Sequence, residues 1–80
     1  MTPAKIRHHI LAVLHDCQGY MLPEQSLVDQ VRLAMAGAPT GTEIRTEISW
    51  LESHGYITGV TAEIDNVRKW RITDKGRTEL

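Results

Sequence analysis

Apolar residues recur at helical spacing in three stretches of the chain and alternate with polar ones near its end. In the first stretch, Ile6, Ile10, Val13, Leu14 and Cys17 fall on one helical face, with Leu11 well off that stripe. Thr2 before Pro3 suits a helix start. Threonine caps the first N–H groups, and proline at the first helical position gives up a hydrogen bond that would go unmade anyway. Gly19 suits the left-handed position after the last turn. "YML" reads as a short extended segment, because residues ahead of a proline avoid helical angles. Pro23 and Glu24 then open a second helix, with a carboxylate near the positive end of the helix dipole. Its apolar face is Leu27, Val28, Val31, Ala34 and Met35, while Leu33 points elsewhere. "AGAPTG" ends it, with Gly37 as the left-handed residue and Pro39 unable to continue a helix.

"TGTE", Thr40 to Glu43, fits a capping box, in which each side chain satisfies the other residue's free backbone N–H. Ile44, Ile48 and Leu51 follow as a narrow buried stripe on a third helix with a broad polar back, and Gly55 ends it. Tyr56, Ile57 and Thr58 start a strand at once, running to a turn at Asp65 and Asn66, residue types that tolerate hairpin angles. The return strand "VRKWRIT" puts Trp70 and Ile72 on one face and Lys69 and Arg71 on the other. Thr73 caps a last short helix. The predicted order is helix, short strand, helix, helix, hairpin, helical end: one α+β domain over residues 1–80.

Eighty residues make one domain at most, and a chain this short buries only a little over ~60% of its unfolded surface, so self-association would add to its stability. No apolar run approaches the ~20 residues of a membrane span, and "MTPAKIRHHI" lacks the apolar region of a signal peptide, so no membrane partner is expected. Cys17 is the single cysteine and cannot form an internal disulfide, which fits a cytoplasmic protein. The net charge of −1 is unevenly spread. The middle of the chain is acidic, whereas Arg68, Lys69, Arg71, Lys75 and Arg77 give the C-terminal part a positive surplus. Local sign matters more than the total when a protein docks on phosphates.

Taken together, the element order and two local strings resemble the winged helix-turn-helix superfamily. "IRTEISWLESHGYI" is similar to a recognition helix ending in L-x-x-x-G followed by two hydrophobic residues. "WRITDKG" is similar to the aromatic-x-hydrophobic-T-x-x-G string that closes the wing in several regulator families. The layout "GYMLPEQSLVDQVR…GTEIRTEISWLESHGYI" is also similar to short winged-helix proteins of Mu-like phages and prophages. The resemblance spans the whole chain and implies a three-helix core with a short first strand and a C-terminal β-hairpin wing. It further implies a small transcriptional regulator, dimeric on two half-sites, that binds double-stranded DNA. The recognition helix, about 41–54, would enter the major groove, and the basic wing, about 56–72, would grip the backbone.

On that helix, Thr42, Thr46, Ser49 and Ser53 point away from the core, with Arg45 and Glu52 on one shoulder and Glu47 on the opposite one. Arg45 is the residue able to make a bidentate contact to guanine, and Thr42, Thr46 and Ser49 suit phosphates, or a thymine methyl in the case of threonine. Thr40 and the first helical N–H groups suit a phosphate. Arg68, Lys69 and Arg71 are the expected wing contacts. The alternative is a protein-interaction module on the same scaffold without DNA binding, motivated by the acidic middle of the chain and by Trp50. Leu11, Leu33 and Trp50, all off the buried stripes, are candidates for a dimer or partner surface. His8, His9, His15 and Cys17 show no second ligand pair of the kind structural zinc needs, so neither a metal nor a cofactor is expected. No catalytic motif is present, and an enzyme is not expected.

Overall fold

The computed structural model describes residues 3–17 and 20–80. Thr2 and Gly19, expected at the ends of the first helix, lie outside the described residues. The elements run α1 (Pro3–Asp16), β1 (Leu22–Pro23), α2 (Glu24–Ala34), α3 (Gly41–Ser53), β2 (Ile57–Thr61), β3 (Arg68–Ile72) and α4 (Asp74–Arg77). The protein is α+β, with four helices and a three-stranded antiparallel sheet among the described residues. In that sheet β3 lies between β1 and β2. No helix among the described residues is long and apolar enough to cross a membrane.

The three longer helices meet over one core. α1 contributes Ile6, Ile10, Leu11 and Leu14, α2 contributes Leu27, Val28 and Val31, and α3 contributes Ile44, Ile48 and Leu51. The sheet closes the core with Ile57, Trp70 and Ile72. Leu11 corrects the sequence reading: it is 5% exposed and belongs to this core, so it offers no partner surface. The buried arc of α1 turns toward Arg7 and Leu11 because α3 docks on that side, which leaves Val13 only half-buried at the other margin. Leu33 stands 83% exposed, as its place off the stripe requires.

The ends of α2 differ in detail from expectation. Pro23 is the N-cap, with extended backbone, and also pairs with Lys69 as the last residue of β1. It serves both elements because neither position asks it for an N–H in the helix. At the other end, the Gly37 N–H donates to the Arg32 carbonyl and the Ala36 N–H to the Leu33 carbonyl, the pairing of a Schellman motif. The left-handed C′ residue there is Ala36, with φ 56°, and Gly37 is the residue after it.

α3 begins as the capping box requires. The Glu43 N–H donates to Thr40 Oγ1 at 3.1 Å, and the Thr40 N–H donates to Glu43 Oε1 at 3.3 Å. It ends in a second Schellman motif: the Gly55 N–H donates to the Glu52 carbonyl and the Tyr56 N–H to the Leu51 carbonyl. Gly55 has φ +79°, a conformation that costs a side chain but not glycine. Two residues later the chain is in β2. The hairpin beyond is wider than a tight turn at Asp65 and Asn66: β2 stops at Thr61, β3 starts at Arg68, and the Ala62 N–H donates to the Val67 carbonyl to close the loop. Asn66 takes the positive φ of 58°.

Candidate nucleic-acid interface

Helix α3 is fixed on one side by Ile44, Ile48 and Leu51, so residues half a turn away must face outward. Thr42, Thr46, Ser49 and Ser53 do so, and all four are exposed. Thr46 Oγ1 donates to the Thr42 carbonyl and Ser53 Oγ to the Ser49 carbonyl, each at 2.9 Å, so these hydroxyls lie back along the helix. The stripe is therefore low in relief, uncharged, and lined by short side chains. Thr40, at its N-terminal end, is committed to Glu43, which accepts from its hydroxyl as well as its N–H. A carboxylate thus occupies the helix terminus that was expected to receive a phosphate.

Glu47 does not lie on an exposed shoulder. It is 9% exposed, and its Oε1 accepts from Arg7 Nε at 2.6 Å. Its spacing explains this: Ile44, Glu47, Ile48 and Leu51 together follow the i, i+3, i+4, i+7 pattern of a buried face, and Glu47 is its one polar member. A carboxylate there is tolerated because Arg7 crosses over from α1 to meet it. Two of the acidic residues of α3, Glu43 and Glu47, are consequently tied into caps and pairs, and Glu52 remains exposed two turns beyond Arg45 on the same side of the helix.

Arg45 reaches back toward α2, with Nε 3.4 Å from Glu24 Oε2 and Nη2 donating to Gln25 Oε1 at 2.8 Å. Glu24 also accepts from Trp70 Nε1 at 3.1 Å through its other oxygen. One carboxylate at the start of α2 therefore joins the buried indole of β3 to the guanidinium of α3. The Arg45 side chain is 46% exposed, and a surface pair of this kind contributes only ~0.2–1 kcal/mol, which positions the guanidinium without locking it.

The three basic residues expected on the wing separate onto two faces. Arg68 shares the face of Trp70, with its guanidinium carbon 5.3 Å from the ring centroid. Lys69 and Arg71 stand on the outer face, opposite Val60 and Thr58 of β2. Arg71 also shares a shallow cleft with Thr73, Asp74 and Arg77. The hairpin end, 62–67, carries Glu63 and Asp65 and a fully exposed Ile64, so the positive charge lies on the strand and not at the tip.

Trp50 is neither free nor a core residue. Arg7 lies over its ring, guanidinium carbon 3.6 Å from the centroid, and the His54 ring stacks on it at 3.8 Å. Two groups that close must take opposite faces of the indole. Tyr56 continues the array, with Lys75 Nζ 4.6 Å from its ring centroid and donating to the His54 carbonyl at 2.7 Å. Desolvation, then the Glu79 carboxylate through hydrogen bonding and charge, raises the Tyr56 phenol above its ordinary value of 10.0. This network of Arg7, Glu47, Trp50, His54, Tyr56 and Lys75 is not visible in the sequence. Only Glu47 carries a usable signal there, through its place in the buried pattern. Elsewhere on α1, His8 and His9 sit edge to face with ring centroids 5.9 Å apart. No cluster of three or more metal-ligating side chains occurs among the described residues. No family model, curated protein or solved structure matches this chain.

Proposed function

We propose that the chain is a winged helix-turn-helix protein that binds double-stranded DNA, with α3 in the major groove and the outer face of β3 on the phosphate backbone. The observation that carries this reading is the exposed stripe of α3. Its four hydroxyl residues are short enough for the helix to approach base edges, and Glu43 and Glu47 are drawn away from it by Thr40 and Arg7. The direct exit from α3 into the hairpin through Gly55 supports the same reading, because it keeps helix and strand in one rigid surface. Arg45 supplies the bidentate donor for guanine once it leaves Glu24, Thr42 contacts a phosphate or a thymine methyl, Ser49 contacts a phosphate, and Lys69 and Arg71 neutralise backbone charge. The protein-interaction reading, which rests on the acidic middle of the chain and on Trp50, is weaker at Trp50, whose half-buried ring is stacked by Arg7 and His54.

The test is fluorescence anisotropy of the protein with pooled random duplexes across a salt series, followed by sequencing of the retained DNA. The proposal expects affinity that falls steeply with salt and a recurrent sequence among the retained duplexes. Absence of binding at low salt overturns it.

A further inference from the structure

The Arg45 guanidinium is held through Nε and Nη2 and open at Nη1. Nη2 donates to Gln25 Oε1 at 2.8 Å, whereas Nε lies 3.4 Å from Glu24 Oε2, long for a hydrogen bond. Among the described residues Nη1 bonds to nothing. It lies beside Gly41, the first residue of α3, where a Cβ would come within 3.4 Å of it. A guanidinium carries five N–H groups, so the bond to Gln25 leaves both of those on Nη1 and the second on Nη2 for another acceptor.

Gln25 is itself fixed. It stands in the first turn of α2, and its Nε2 donates to Asp29 Oδ1 at 3.0 Å, one turn further along the same helix. This pair settles which way the amide points. Turned over, it would set donor against donor at Arg45 and acceptor against acceptor at Asp29. The Gln25 side chain is exposed, so neither bond serves the core. Its chemistry also differs from that of Glu24. A carboxylate competes with guanine for the guanidinium and repels phosphate, whereas a neutral carbonyl orients the group without cancelling its charge.

We propose that Gln25 is the positioning residue for Arg45: it keeps Nη2 while the guanidinium leaves Glu24 and turns its free N–H groups to the O6 and N7 of a guanine. Helix α2 thereby takes part in reading the sequence, although Gln25 itself touches no base. This role rests on the DNA-binding reading and adds to it the group that prepares Arg45 for its base pair. Holding the guanidinium before DNA arrives spares part of the ordering that a free arginine side chain pays on binding. The gain falls on one base pair alone, because Arg45 is the side chain that Gln25 holds on α3.

The experiment is retained-duplex sequencing with the full chain as wild type, Gln25→Ala, Gln25→Met, Arg45→Ala and the double variant Gln25→Ala, Arg45→Ala. Arg45→Ala identifies the base pair that Arg45 reads. At that pair Gln25→Ala should lower the preference for guanine by about three- to tenfold, the worth of one hydrogen bond, with the rest of the motif and the salt slope unchanged. Gln25→Met keeps the length of the side chain without its carbonyl, so it should match Gln25→Ala. In the double variant the loss of Gln25 should add nothing to the loss of Arg45. If the wild-type chain retains no recurrent sequence, the DNA-binding reading falls and this role falls with it. A wild-type motif that Gln25→Ala leaves intact overturns the role of Gln25 alone. So does an effect of Gln25→Ala at another base pair that persists beside Arg45→Ala, since Gln25 would then be a base contact in its own right.

Discussion

Ala36 holds φ at 56° where its helix needs a left-handed residue, although Gly37 stands one position later. The sequence points to the glycine because residue type is visible there and helix length is not: α2 runs one residue short of the expected stop. Left-handed backbone costs an L-residue on the order of 1 kcal/mol that glycine avoids, so Ala36→Gly should stabilise the protein by about 0.5–1 kcal/mol. A thermal melt checks this, as an increase of this size raises Tm by several degrees in a domain so small. Arg45 is the second residue whose neighbours decide its role. Its spacing shows that it is exposed but not that Glu24 and Gln25 hold it, since both come from a helix some twenty positions earlier. Under the DNA proposal, Arg45→Ala relaxes sequence preference by about 1–3 kcal/mol at one base pair. Retained-duplex sequencing reads this directly, and an unchanged motif removes Arg45 from base contact.

Elements with local causes are legible in the sequence. The capping box of α3, the glycine exit at Gly55 and the alternation of β3 all depend on residues within a few positions of each other, and all appear as read. Thr40→Ala should therefore cost about 1 kcal/mol in chemical denaturation, the usual worth of an N-cap hydroxyl. Elements defined by packing are less legible. Periodicity alone puts Leu11 at the surface, because the buried arc of α1 depends on where α3 docks, which no local pattern encodes. Asp65 and Asn66 carry the signal of a tight turn, yet the register of β2 against β3 places the strand ends further back. Trp50 and its partners are illegible for the same reason as Leu11, since Arg7 reaches them from another helix.

At the scale of the whole molecule, the charge that matters is local. A net charge of −1 conceals an α3 stripe with no charge and an outer β3 face with Lys69 and Arg71. Arg68, grouped with them by sequence distance, lies over the Trp70 ring on the other face. The double variant Lys69→Ala, Arg71→Ala should weaken binding to all duplexes alike and flatten the slope of log affinity against log salt by about 2, one unit for each phosphate left without its cation. A salt titration of the anisotropy signal measures it, and an unchanged slope excludes this face from the backbone. The link from Trp70 through Glu24 to Arg45 has an optical consequence. Any ligand that draws the guanidinium away from Glu24 changes the charge balance at the carboxylate bonded to the Trp70 indole N–H. With Trp50 replaced by phenylalanine, the remaining emission becomes an internal gauge of whether Arg45 is docked or released, with no label attached.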